Sequence, residues 1–275
     1  MRIASSDGVE LAVHDLGGEG APFLVCHANG LLGMAYQAMA THLRPFFHVF
    51  AMDFRAHGDS SSPAGDRFDW RAMGEDVSAV VGAVSDRPVD TFGHSLGGAA
   101  LLLAELSAPG LLASAYLFEP IVLPDDGLDG VSARLTDTAL RRRRVFESRP
   151  DAMYRYGSKP PLSLVQAGVL ATYVEHGFAD RKDGSVELKC SPEHEAAIFA
   201  AAGKPTFSMV SAVRTPTLVA AGSTDDHFTP ALLAPPVARA LPYGRLENFE
   251  TLGHFGPLES PSRVAAAILA FHGKG

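Results

Sequence analysis

At 275 residues, 47% of them hydrophobic, the chain has room for one large α/β domain or for a domain with a substantial insertion. A net charge of −8 without a basic stripe argues against nucleic acid or an anionic membrane surface as partner. Glu105 interrupts the longest apolar run before it reaches the roughly 18 residues of a membrane span, no apolar signal core opens the chain, and two cysteines, Cys26 and Cys190, suit a reducing cytoplasm.

Residues 9–14 alternate apolar and polar behind the turn pair Asp7-Gly8 and predict a half-buried strand. Residues 22–27 form a continuous apolar run, the mark of a strand buried on both faces, and end in Ala28-Asn29-Gly30. A helical pattern follows at about 34–43, then another buried strand at 47–53 and the loop 54–63. Helical spacing returns over 70–84, and beyond residue 104 the stretch 112–119 is the next strand, closed by Pro120. Strands alternating with helices at these intervals predict a parallel sheet with helices on both faces. Between 124 and 205 the strand runs disappear, and the segment reads as helical with Pro and Gly punctuation. Alternation resumes at 217–222, followed by a strand at 245–249 and a last helix at 263–271. The expected organisation is a core at 1–123 and 206–275, with a helical cap at 124–205 inserted where strand ends form the site. Apolar residues of that insertion, Tyr154, Tyr156, Leu162, Leu164, Phe178 and Phe199, are expected to set acyl-group choice.

The most specific pattern lies at 89–104, which reads as a short strand, a turn of small residues and an Ala/Leu-rich helix. Gly93-His94-Ser95-Leu96-Gly97 within it is a nucleophile elbow, G-x-S-x-G. A serine on so tight a turn takes strained backbone angles, so the residues two places away must lack side chains. Gly93 and Gly97 meet that demand, and Gly98 lets the helix approach the sheet. The Ser95 hydroxyl is then pushed out of the turn at the positive end of a helix dipole.

A serine hydroxyl needs a base to take its proton and a carboxylate to orient that base. His254, flanked by Gly253 and Gly256 late in the chain, is the expected base. His94 is expected to support the elbow, while His42, His48 and His176 carry no local pattern. The expected acid is Asp225, three residues beyond Gly222 at the end of an apolar strand. Asp226 and Glu119, which ends an earlier strand, are the alternatives. Two amide donors must meet the developing oxyanion. Leu96 N–H follows from the elbow, and Asn29 N–H, set among small residues after the strand at 22–27, is assigned as the second. Leu31, Leu32, His94, Glu119 and Phe255 are placed around the substrate pocket, with Met34 a further candidate.

Other signals point away from cofactors. His194-Glu195 lacks the second histidine of a zinc helix motif, and neither a dinucleotide fingerprint nor a phosphate loop is found, so no metal and no cofactor is expected. Cys26, in a buried strand, reads as a core residue. The run Arg141-Arg142-Arg143-Arg144 would span all sides of a helix, and so reads as a solvated, salt-bridged face rather than an anion site.

Together, His27-Ala28-Asn29-Gly30, Asp53-Phe54-Arg55-Ala56-His57-Gly58-Asp59-Ser60, the elbow with Gly98, Gly222-Ser223-Thr224-Asp225, and Gly253-His254-Phe255 with Glu259-x-Pro261 resemble the α/β-hydrolase superfamily. The superfamily usually shows glycine where this chain has Ala28 and Ala56. The resemblance implies an α/β-hydrolase fold with a mostly parallel central sheet and a helical cap after strand 6. It also implies a cytoplasmic, carboxylesterase-like serine hydrolase acting on a small, fairly apolar, ester-like substrate as a monomer or homodimer. Carbon–carbon bond hydrolysis and enol-lactone hydrolysis use the same triad and are the nearest alternatives. A non-catalytic small-ligand receptor on the same scaffold is the alternative of another class.

Overall fold

The structure is a computed structural model, which describes residues 1–66, 68–128, 130–223 and 229–274. Its first part runs β1 (Arg2–Ala4), β2 (Glu10–Gly17), β3 (Ala21–Cys26), α1 (Gln37–Leu43), β4 (Phe47–Met52), α2 (Trp70–Val84), β5 (Val89–His94), α3 (Leu96–Ser107) and β6 (Leu112–Phe118). Then come α4 (Val131–Leu140), β7 (Val145–Phe146), α5 (Arg149–Gly157), α6 (Ala167–Gly177), β8 (Phe178–Asp180), β9 (Val186–Leu188) and α7 (Pro192–Ala200). The chain closes with α8 (Phe207–Val210), β10 (Thr217–Ala221), α9 (Thr229–Ala240), β11 (Gly244–Asn248), α10 (Gly256–Glu259) and α11 (Pro261–Phe271).

Strands that are apolar on both faces must have both faces covered, and these lie inside an eight-stranded sheet of order β1-β2-β4-β3-β5-β6-β10-β11. β1 and β2 join antiparallel, and every pairing from β4 to β11 is parallel. One buried apolar layer gathers Trp70, Val77, Leu101 and Val237, and the other gathers Phe23, Tyr36, Phe118 and Ile268. The fold is therefore the expected α/β-hydrolase fold. Glu105, buried on the otherwise apolar α3, accepts from Gly110 N–H at 2.7 Å and Leu112 N–H at 3.0 Å, which closes the turn into β6.

The segment between β6 and β10 departs from the expectation in one respect. Besides α4 to α7 it holds a three-stranded antiparallel sheet of order β7-β9-β8. Strands of two or three residues are too short to show a period-2 pattern, which is why the sequence reads as helical there. The hairpin signal Asp183-Gly184 between β8 and β9 could have revealed it. The two ends of the segment meet: Leu123 N–H donates to Pro205 O at 2.9 Å and Phe207 N–H to Leu123 O at 3.0 Å. Among the described residues no helix is long and apolar enough to cross a membrane.

Candidate active site

The sharpest backbone feature of the chain is Ser95, at φ 55° and ψ −110° between β5 and α3. A non-glycine residue there costs on the order of 1–3 kcal/mol unless its surroundings enforce it. They do: Ser95 N–H donates to Phe118 O at 3.0 Å, and Ser95 O accepts from Ile121 N–H and Ala99 N–H, each at 3.2 Å. The flanking glycines are sterically required. A Cβ on Gly93 would lie 2.6 Å from Gly98 Cα, and one on Gly97 would lie 2.2 Å from Cys26 O.

Ser95 lines a cavity of about 300 Å³ together with Asn29 and Leu96. The backbone amides of Asn29 and Leu96 have no acceptor among the described residues, and both residues line the cavity beside Ser95. The rest of the wall is mostly apolar, with Trp70, Ile121, Leu135, Phe199 and Leu233 prominent. Lys204, whose amine burial lowers below its ordinary pKa, also lines it and donates to Ala201 O at 2.5 Å.

His254 stands beside the elbow, its ring centre 4.8 Å from that of His94. Its Nδ1 lies 2.5 Å from Glu119 Oε2, and the other oxygen of Glu119 accepts from Gly222 N–H at 2.7 Å. Glu119 is fully buried and has φ 47°, so the chain turns sharply just past β6 and aims the carboxylate across the sheet end. The carboxylate found on His254 is thus Glu119, one of the two alternatives. Asp225, the expected acid, and Asp226 lie outside the described residues. The positive φ that aims Glu119 at His254 cannot be inferred from a strand that ends in Glu-Pro.

His94 is a clip rather than part of the cavity wall. It is fully buried, and burial drives its pKa well below the ordinary histidine value, so the ring is neutral. Ala28 N–H donates to Tyr36 Oη at 3.3 Å, Tyr36 O–H then serves His94 Nδ1 at 2.7 Å, and His94 Nε2–H donates to His254 O at 2.8 Å. One side-chain chain therefore ties the loop of Asn29, the elbow and the loop of His254. Tyr36 carried no sequence motif and was missed.

Two more neutral histidines stiffen the Asn29 loop. His27 Nε2 accepts from Phe54 N–H at 2.9 Å, and His57 Nε2 accepts from Gly30 N–H at 3.0 Å. Burial pushes His57 down to about 3. Its folded pKa is thus below its unfolded one, so its contribution is present above the unfolded value of about 6.5 and is lost as pH falls. We expect stability by urea unfolding to drop between pH 7 and pH 5, on the order of 2 kcal/mol from this ring. His57→Gln should flatten that slope; an unchanged slope would show that His57 titrates normally. Nearby, Ala56 holds φ 62° where glycine would be unstrained, and Asp53 accepts from Gly33 N–H at 2.7 Å and Asp59 N–H at 2.9 Å.

A second chamber of about 520 Å³ shares Asn29, Leu135, Thr138 and Phe199 with the first. Leu31 and Phe255 line it, as do Tyr156 and Leu162. Leu32 is buried in the core, and His94 and Glu119 are buried behind the wall as described, so none of the three lines either chamber. Phe178 is likewise buried, while Tyr154 and Leu164 are exposed to solvent at 77% and 58%. Both cysteines are buried, with their thiols pushed up by desolvation.

Residues 23–267 match the model of the alpha/beta hydrolase family. The chain belongs to that family. This alpha/beta hydrolase is 25% identical over 266 residues to a Mycobacterium tuberculosis protein that carries the name non-heme bromoperoxidase BpoC, covering 94% of the chain and 96% of that protein. Among solved structures it resembles E-2-(acetamidomethylene)succinate hydrolase, with a TM-score of 0.82 at 20% identity, covering 99% of this chain and 98% of that one. It also resembles a thermophilic esterase from Thermogutta terrifontis, with a TM-score of 0.74 at 22% identity, covering 100% and 98%. At such identities these structures speak for the fold.

Proposed function

We propose that this alpha/beta hydrolase is a serine hydrolase that cleaves an ester-like bond of a small, fairly apolar substrate through an acyl-enzyme. The observation that carries the reading is the buried Glu119 carboxylate on Nδ1 of His254, beside a strained Ser95 that opens onto an apolar cavity. Glu119 holds the imidazole in the tautomer whose Nε2 takes the Ser95 proton. Ser95 Oγ then attacks the carbonyl, and the developing oxyanion is met by the Asn29 and Leu96 amides at the positive end of α3. Return of the proton from His254 releases the alcohol, and a water activated by the same ring frees the acid. The segment 124–205 acts as the cap, since α4 and α7 supply the cavity wall facing Ser95.

The test is turnover of p-nitrophenyl esters of graded acyl length, together with reaction of the purified protein with a fluorophosphonate probe. The expected result is turnover that favours short to medium acyl chains and one covalent adduct, mapped to Ser95 by peptide mass. Neither turnover nor adduct would overturn the serine-hydrolase reading.

A further inference from the structure

In the run Arg141–Arg144, Arg142, Arg143 and Arg144 are salt-bridged, as the sequence predicts, but the run is not a helical face. Helix α4 ends at Leu140, Arg141 caps it, and the next residues leave the helix, so the side chains need not point all ways around an axis. Arg141, Arg142 and Arg143 all line the second chamber, joined there by Arg155 and Lys159 from α5 and the turn beyond it. Glu195 is the only carboxylate among the described residues of that wall, and it is already paired with Arg142. Arg143 is paired with Asp151 at 3.2 Å. Arg141, Arg155 and Lys159 have no side-chain hydrogen bond or ion pair among the described residues. Three uncompensated cations thus border one chamber in a chain whose net charge is −8. Unpaired like charges repel one another, and a cleft focuses their field on whatever enters it.

The chamber is not a remote patch. It shares Asn29 with the Ser95 cavity, so a substrate held at the two amides can extend past Asn29 into it. Leu31, Phe146, Leu162 and Phe255 give it an apolar body, with the cations at its rim. We propose that the chamber receives an acidic group of the substrate, a carboxylate or phosphate separated by a short apolar spacer from the scissile carbonyl, and that Arg141, Arg155 and Lys159 select for it. This rests on the hydrolase reading above for the bond that is cleaved, adds one charged end to the apolar substrate named there, and does not rest on it for the binding of the anion.

Two matched ester pairs test it, one with the acid on the acyl side (p-nitrophenyl hydrogen glutarate against p-nitrophenyl pentanoate) and one with it on the alcohol side (4-acetoxybutanoate against butyl acetate). In at least one pair kcat/KM should favour the acidic ester tenfold or more, and the preference should shrink as salt is raised. The exposed triple variant Arg141→Ala/Arg155→Ala/Lys159→Ala should lose that preference and keep kcat/KM for the neutral ester within about twofold. Calorimetric titration with glutarate and with inorganic phosphate gives a readout free of catalysis and distinguishes the two anions. Binding to the native protein that is lost in the triple variant supports the chamber even if no ester is turned over, an outcome that would sink only the hydrolase reading. Turnover without acidic preference in either pair, or a preference that survives the triple substitution, would overturn the inference.

Discussion

Ser95→Ala is expected to lower turnover by about 10⁶-fold and to abolish fluorophosphonate labelling, while leaving unfolding by urea close to that of the native protein. The two halves of this expectation have separate causes. Catalysis falls because no other hydroxyl is held on the elbow between the two amides. Stability survives because the backbone conformation is enforced by main-chain hydrogen bonds to Phe118, Ile121 and Ala99, none of which involves the side chain. The hydroxyl itself makes no hydrogen bond among the described residues, so its removal strands no buried partner. Labelling that persisted in the variant would place the nucleophile elsewhere.

Glu119→Gln is expected to cost up to about 10⁴ in kcat, more than Asp225→Asn or Asp226→Asn. The glutamine can still accept from Gly222 N–H with its oxygen, but its NH₂ then faces His254 Nδ1. That donor demands the imidazole tautomer with the proton on Nε2, which cannot accept from serine. The loss should therefore appear in kcat with little change in folding. If Asp225→Asn were the more damaging change, the orienting carboxylate would come from the strand end after β10 instead.

Which of these features is legible in the sequence depends on the range of the forces that place them. Ser95, Gly93 and Gly97 are legible because their constraint is local: a tight turn forbids a Cβ within two residues. His27, Asn29 and His254 lie in short motifs for the same reason. The order of strands and helices was legible from apolar runs, as far as Thr217–Ala221 and the last helix. β1 was missed because three residues, Arg2-Ile3-Ala4, carry no pattern until β2 pairs with them. α9 was hidden by Pro235 and Pro236 in its interior. Glu119 against His254, and Arg142 against Glu195, join residues far apart in the chain. Only packing brings them together, so spacing could neither pair Glu119 with His254 nor set Arg142 against Glu195.

The loop that carries Asn29 has a consequence for motion. Although it follows β3 in the core, it is gripped by the segment above it: Tyr173 O–H donates to Gly30 O at 3.1 Å and Asn29 Nδ2 donates to Glu195 O at 3.1 Å. Arg142 locks that grip by donating to both Glu195 and Tyr173. His57 holds Gly30 N–H and Tyr36 holds Ala28 N–H from the core side, so the loop is fastened from two directions, and losing the bonds to Tyr173 and Glu195 alone would still leave it moored to the sheet.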